Sequence, residues 1–175
     1  MNSYALIPTS WGWLGLLRSP AGLLRLALPQ PSPGKALECL APEGAGESPS
    51  AFGGLPERLQ AYFQGYPVSF PDELDFQATS FRRAVWMGAR MVGYGQVQTY
   101  GWLAASIGRA GAARAVGQAL GANPFPLIVP CHRIVASDGS LGGWSGEGID
   151  EKARLLEMEG VSLAGRRQKG GGPPL

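Results

Sequence analysis

A chain of 175 residues can form one domain of ordinary size or a small domain joined to a larger one. Hydrophobic residues at 45% and charged ones at 16% make a globular composition, while 27 Gly and 15 Pro require much of the chain to be loop. Fifteen basic against thirteen acidic residues leave +2, too small a surplus to argue for nucleic-acid binding, and two cysteines build no disulfide framework, so the cytoplasm is the expected compartment.

The opening run, "MNSYALIPTSWGWLGLL", has no basic leader and is interrupted by Asn2, Ser3, Pro8, Thr9 and Ser10, so neither a signal peptide nor a membrane anchor is expected. "YALIP", "GWLGLLRS" and "GLLRLALP", separated by turn-forming residues, predict an antiparallel meander over residues 4–28. From Pro29 to Pro56 the composition shifts to Pro, Gly, Ser and Glu, which predicts a long loop carrying Cys39. "LPERLQAYFQG" follows as a short amphipathic helix and "PVSFPDELDF" as an extended connector. "TSFRRAVWMGARMV" begins at a Thr-Ser cap and sets Phe81, Val85, Gly88 and Val92 on one helical stripe.

"TYGWLAASIG", capped by Thr99 and stopped at Gly108, is joined by a tight turn to "GAARAVGQALGAN", the pattern of a helix-turn-helix. At 100° per residue the second helix buries Ala112, Val116, Ala119 and Leu120. Its opposite face carries Arg114 and Gln118 among small residues. That face is compatible with a surface arginine on a glycine-weakened helix, and equally with a helix that approaches a groove about 6 Å wide. Further on, "ASDGSLGGWSGEG" reads as a glycine-rich loop and "IDEKARLLEMEG" as a last helix, capped by Asp150, striped by Ile149, Ala153 and Leu156 and ended by Gly160. A basic, Gly- and Pro-rich tail closes the chain.

Between these lies "LIVPCHRIV", residues 127–135, with the only histidine, His132, beside Cys131 and Arg133, where an apolar run resembling a buried strand meets a loop. A buried cysteine can be a small hydrophobe and nothing more. A reactive one needs its pKa brought down from about 8.5 by a base or a positive field, and His132 and Arg133 are candidates for both. Zinc needs about four ligands, which two cysteines and one histidine do not supply. A cysteine hydrolase is awkward, because adjacent residues on extended backbone point to opposite faces. Alkyl transfer to the thiolate, which needs an activated sulfur and no second hydrolytic step, fits the inventory best.

"VPCHRIV", with "ARAVGQALGANPFPL" before it and "GSLGGWSGEGIDEKARLLEMEG" after it, resembles the O6-alkylguanine-DNA alkyltransferases, which directly reverse O6-methylguanine damage. The likeness is close from about Phe81 to Gly160 and loose before that. It implies an α+β fold: a small N-terminal antiparallel-sheet, ribonuclease H-like domain over 1–76, a winged-helix or helix-turn-helix domain over 77–163, and a flexible basic tail over 164–175. It implies Cys131 as alkyl acceptor, His132 taking the thiol proton through a water, Glu159 orienting His132, and Asn123 as the hinge to the helix-turn-helix. Tyr100, Ser145, Trp144 and the backbone near Cys131 and Ile134 are implied as contacts to the guanine. Arg114 is implied as the finger that replaces the flipped nucleotide, with Ala112, Ala113, Ala115 and Gly117 small enough for close approach and Ser137 on a phosphate. The implied partner is duplex DNA containing O6-alkylguanine, engaged by a monomer with no cofactor, no metal and no membrane.

Some features depart from the family pattern. Phe81-Arg82 stands where Phe-Gln is usual, and Trp144 where tyrosine is usual. The Cys and His count excludes the Cys-His zinc site that some members carry. The alternative is a non-catalytic sensor of alkylated DNA or a DNA-binding regulator; the family's non-enzymatic branch replaces the acceptor cysteine with tryptophan, and Cys131 argues against it.

Overall fold

The computed structural model describes residues 1–142 and 148–163, which form two compact units: Met1–Ala78 with Pro124–Ile128, and Thr79–Asn123 with the chain from Val129 onward. The class is α+β, with an antiparallel sheet at the N-terminus as expected.

In the first unit β1 (Ser3–Thr9), β2 (Gly12–Ser19) and β3 (Gly22–Gln30) form the meander, with Ala5 opposite Leu16 and Leu16 opposite Leu26. The β1–β2 turn needs Gly12, whose φ is +125° and where a Cβ would lie 2.5 Å from the Gln30 carbonyl oxygen. β2 is buried on both faces, which explains its nearly continuous apolar run. On one face Leu17, Ala27 and Leu40 cluster, and Gly15 lets a helix approach to within 3.1 Å of where its Cβ would be.

That helix is α1 (Pro33–Leu40), and it corrects the expectation of a loop over residues 29–56. Ser32 caps it by accepting from Lys35 N, Pro33 opens it, and Ala36 and Leu40 are its buried pair at i, i+4. A compositional average over the flanking Pro, Gly and Glu hid an eight-residue amphipathic segment. Gly46–Glu47 then form β4, parallel to β1, and Pro49–Phe52 a 3-10 turn that buries Phe52. Cys39, on α1, is exposed.

α2 (Leu55–Phe63) buries Leu55, Leu59, Tyr62 and Phe63, and the connector after it is extended as predicted, held to β3 by Leu23 N donating to Glu73 O and Asp75 N to Leu23 O, both at 2.8 Å. Residues 124–128 join this unit through Leu26 N to Pro124 O, 2.9 Å, and an edge-on Phe76–Phe125 contact at 5.8 Å.

The second unit begins with α3 (Ser80–Ala89), capped by the Thr79 hydroxyl accepting from Arg82 N. Val85 and Val92 of the predicted stripe are buried, and so are Trp86 and Ala89, with Trp86 Nε1 donating to Ala119 O at 2.8 Å. Gln98–Thr99 form β5; Thr99 caps α4 (Tyr100–Ser106), and Gly108 at φ +73° ends that helix. α5 (Ala113–Gly121) buries Val116, Ala119 and Leu120 and exposes Arg114 and Gln118, as the periodicity predicts, whereas Ala112, also expected on the buried face, precedes the helix and is half-buried.

Residues 127–130 are not a strand. Pro126 and Val129 make single bridges, Leu127 has φ +73°, Cys131–Arg133 is a 3-10 turn, and only Ile134–Val135 pair, as β6 parallel to β5. The apolar run reflects burial of Phe125, Leu127, Ile128 and Val129, which periodicity cannot tell from a buried strand. α6 (Gly148–Met158) starts before Asp150, which lies in its first turn and does not cap it, and Gly160 follows the end at φ +81°. Leu156 packs with Val135, Leu141, Val161 and Leu163, flanked by Ile149 and Ala153. Trp144, Ser145 and the tail over 164–175 lie outside the described residues.

Candidate active site

Pro130 sets the local geometry. At φ −78° and ψ 66° it is the centre of an inverse γ-turn closed by Cys131 N donating to Val129 O at 2.7 Å, a φ that the pyrrolidine ring already imposes. Arg133 N then donates to Pro130 O at 2.9 Å and closes the 3-10 turn. In such a turn successive side chains fan out at about 120°, so Cys131, His132 and Arg133 are not forced onto opposite faces as extended backbone would require. All three are buried.

Glu159, just past α6 and 5% exposed, gathers this turn. Its Oε1 lies 2.7 Å from His132 Nε2 and accepts from Arg133 Nη2 at 3.0 Å; its Oε2 accepts from Arg133 Nε at 2.9 Å and from Gly95 N at 3.1 Å. Arg133 Nη1 donates to Val92 O at 2.7 Å. Burial pushes the Glu159 carboxyl up, but the hydrogen bonds from His132 and Arg133 outweigh it and bring the pKa down to about 2. Burial pushes His132 below its ordinary value; Glu159 pulls the other way, and Arg133 and Lys152 add to the lowering. A neutral His132 that donates Nε2–H to Glu159 carries its lone pair on the other ring nitrogen, where a proton can be received.

The Cys131 thiol is pushed up by burial, against the Asn123 side-chain amide, the Lys152 charge and the backbone N–H groups of Cys131 and His132, all of which favour the thiolate. Asn123 Nδ2 also donates to Val129 O at 3.0 Å, so one amide touches both sides of Pro130. Sequence reasoning gave Lys152 no place. It is 0% exposed, donates from Nζ to Ile134 O and Leu141 O at 2.6 Å each, and lies 5.8 Å from the centre of the Tyr100 ring. A signal existed: Lys152 falls on the α6 stripe of Ile149, Ala153 and Leu156, where an apolar residue belongs. Ile134 O, expected to face guanine, also accepts from this lysine, which leaves its second lone pair for another donor. The clamp of Arg133 on Glu159 likewise left no trace in the sequence.

A cavity of about 680 Å³ is lined among others by Tyr100, Ala113, Arg114, Gly117, Ser137 and Gly142; Cys131, His132 and Glu159 are not among its lining residues. Gly142, at φ +74°, is required there, since a Cβ would lie 2.6 Å from Tyr100 Cε2. Arg114 and Ala115 are exposed on α5, Ala112 and Ala113 half-buried at its start, and Ser137 exposed after β6. Among the described residues no cluster of three or more His, Cys, Asp or Glu could hold a metal ion, and no helix is long and apolar enough to cross a membrane.

Residues 80–161 match the family described as 6-O-methylguanine DNA methyltransferase, DNA binding domain. A methylated-DNA–protein-cysteine methyltransferase of Mycolicibacterium paratuberculosis is 46% identical over 113 residues, 65% of this chain and 68% of the relative. The crystal structure of the Mycobacterium tuberculosis O6-methylguanine methyltransferase superposes with a TM-score of 0.76 at 38% identity, covering 91% of this chain and 93% of that one. A Mycobacterium tuberculosis OGT in complex with DNA gives 0.75 at 39%, over 90% and 92%. Likeness of this extent in both sequence and fold places the chain in the methylated-DNA–protein-cysteine methyltransferase family.

Proposed function

We propose that Cys131 is the acceptor through which this chain repairs alkylated DNA, by removing the alkyl group from O6-alkylguanine in a duplex. The chain is a methyltransferase that moves the group from DNA to one of its own cysteines, as its family does. In the step, the thiol proton passes through a water to the ring nitrogen of His132 opposite Glu159. The thiolate attacks the alkyl carbon, the C–O6 bond breaks, and the guanine takes up a proton as it leaves. A thioether remains, so each molecule reacts once. The observation that carries this reading is the buried Cys131–His132–Glu159 arrangement, with the Nε2–Oε1 distance at 2.7 Å.

Asn123 holds the acceptor turn, Tyr100 and Ser145 contact the base, and Trp144 walls it. Arg114 enters the duplex where the nucleotide leaves it, offsetting part of the few kcal/mol that extrusion costs. Ala112, Ala113, Ala115 and Gly117 allow the backbone to come close, and Ser137 contacts a phosphate. The second unit, Thr79–Asn123 with the chain from Val129, is the catalytic and DNA-binding domain, acting as a monomer in the cytoplasm. Incubation with duplex DNA containing O6-methylguanine is expected to add one methyl mass to the peptide bearing Cys131, and Cys131→Ala to abolish transfer while DNA binding persists. Methyl recovered on Cys39, or a lesion left intact under tight binding, rejects the proposal.

A further inference from the structure

The proposed transfer gives Arg133 no task, yet its guanidinium is spent entirely inside the protein. Nε and Nη2 grip Glu159 at 2.9 and 3.0 Å and Nη1 holds Val92 O at 2.7 Å. The carboxylate it grips is the one that holds His132, and Oε1 is shared between the two. Two donors on one carboxylate divide its charge. Left to His132 alone, a buried carboxylate at 2.7 Å makes an imidazole keep its proton, and a ring already protonated cannot take one from the thiol.

We propose that Arg133 is a positioning residue for the transfer: by sharing Glu159 it keeps His132 oriented but neutral, ready as the base when substrate arrives. The proposal rests on the reading of Cys131 as acceptor and His132 as base. The proton moves from Sγ through water to the imidazole, and Arg133 neither gains nor loses one.

Among the described residues, these charged and titratable groups bear on His132. Glu159 comes from the end of α6, Lys152 from α6 itself, Cys131 and Arg133 from the same turn, and Tyr94 from the segment after α3, its ring centre 5.8 Å from the Arg133 guanidinium carbon. Glu159 favours the imidazolium; burial opposes it most, then Arg133 and Lys152. Lys152 is tied to the carbonyls of Ile134 and Leu141, so among the described residues Arg133 is the cation that both repels the imidazolium and shares its carboxylate.

The chain has one histidine, so labelling the imidazole Cε1 gives a single ring C–H signal by NMR. In the free wild-type protein that signal is expected to titrate below 6.5, the ordinary value. Arg133→Met is expected to raise the titration by about one pH unit and to move the acid limb of single-turnover alkyl transfer by the same amount. Arg133→Lys keeps the charge without the fork and is expected to stay within about half a unit of wild type. A wild-type ring titrating at or above 6.5, a folded Arg133→Met that titrates with wild type, or an Arg133→Lys shifted upward by about one unit overturns the proposal. If Arg133→Met does not fold, the wild-type and Arg133→Lys titrations still decide. Neither needs alkyl transfer, so a failure of Cys131 as acceptor is read separately, by mass spectrometry.

Discussion

Cys131 is surrounded by three kinds of electrostatic help and one large penalty. Burial opposes the thiolate, and the Asn123 amide, the Lys152 charge and two backbone N–H groups each return part of what burial takes. Lys152 has the additional task of joining β6 to the segment that ends at Leu141. Lys152→Met keeps the length of the stem and removes a buried charge, which is favourable, but it leaves two carbonyl oxygens without their 2.6 Å donor. An unsatisfied buried acceptor costs about 1–3 kcal/mol, more than loss of a desolvated ammonium returns here, so Lys152→Met is expected to lower the unfolding free energy by about 1–3 kcal/mol in a denaturant titration. That the lysine reaches this place was not legible beforehand, because the stripe of α6 shows only that position 152 faces inward, not which carbonyls wait there. The bonds of Glu159 to His132 and Arg133, 27 and 26 residues apart in sequence, carry no periodicity either.

Elements whose signals are local read well from the sequence. The β1–β3 meander, the Thr79 and Thr99 caps and the buried face of α5 follow from turn residues, cap residues and spacing, all within a few positions. α1 and the turn at Cys131 did not, for opposite reasons: α1 is short and diluted by its flanks, whereas residues 127–130 are apolar because they are buried, not because they pair. Packing between elements is a third kind of information. Where α3 meets α4, a Cβ on Gly88 would lie 2.6 Å from Leu103 Cδ1 and 3.2 Å from Ile107 Cγ2, and Leu103 is fully buried. Alanine improves helix propensity by about 1 kcal/mol, yet overpacking against a side chain with nowhere to go costs about 1–3 kcal/mol. Gly88→Ala is therefore expected to lower the melting temperature. Gly121→Ala, where nothing lies within 4 Å of the added carbon, is expected to leave it level or raise it.

At the scale of the whole molecule, the buried charges make stability a function of pH, and the signs can be worked group by group. Glu159 has its pKa depressed from 4.5 to about 2, so its contribution is fully present above 4.5 and is lost as pH falls through that window. A shift of that size corresponds to about 3 kcal/mol. His132 is depressed from 6.5, so below 6.5 the unfolded chain binds a proton that the folded one refuses, and stability falls on acidification there too. The two effects have the same sign, so acidification costs stability through His132 below 6.5 and through Glu159 below 4.5. On the alkaline side they divide. Lys152, lowered to about 8 from 10.5, makes the folded state gain stability as pH rises through that interval, whereas Cys131, raised above 9.0, makes it lose stability above 9.0. Unfolding free energies measured from pH 7.5 to 3 are thus expected to decline below about 6.5, with Glu159 adding its share to the slope below 4.5. Glu159→Gln removes that carboxylate and leaves Arg133 buried without its counter-charge, which costs about 3–5 kcal/mol at neutral pH. The same substitution is expected to make the curve less steep below 4.5, because the share of Glu159 is gone. A variant destabilised at pH 7.5 but still as steep as wild type below 4.5 would place the acid sensitivity elsewhere, on carboxylates outside this centre.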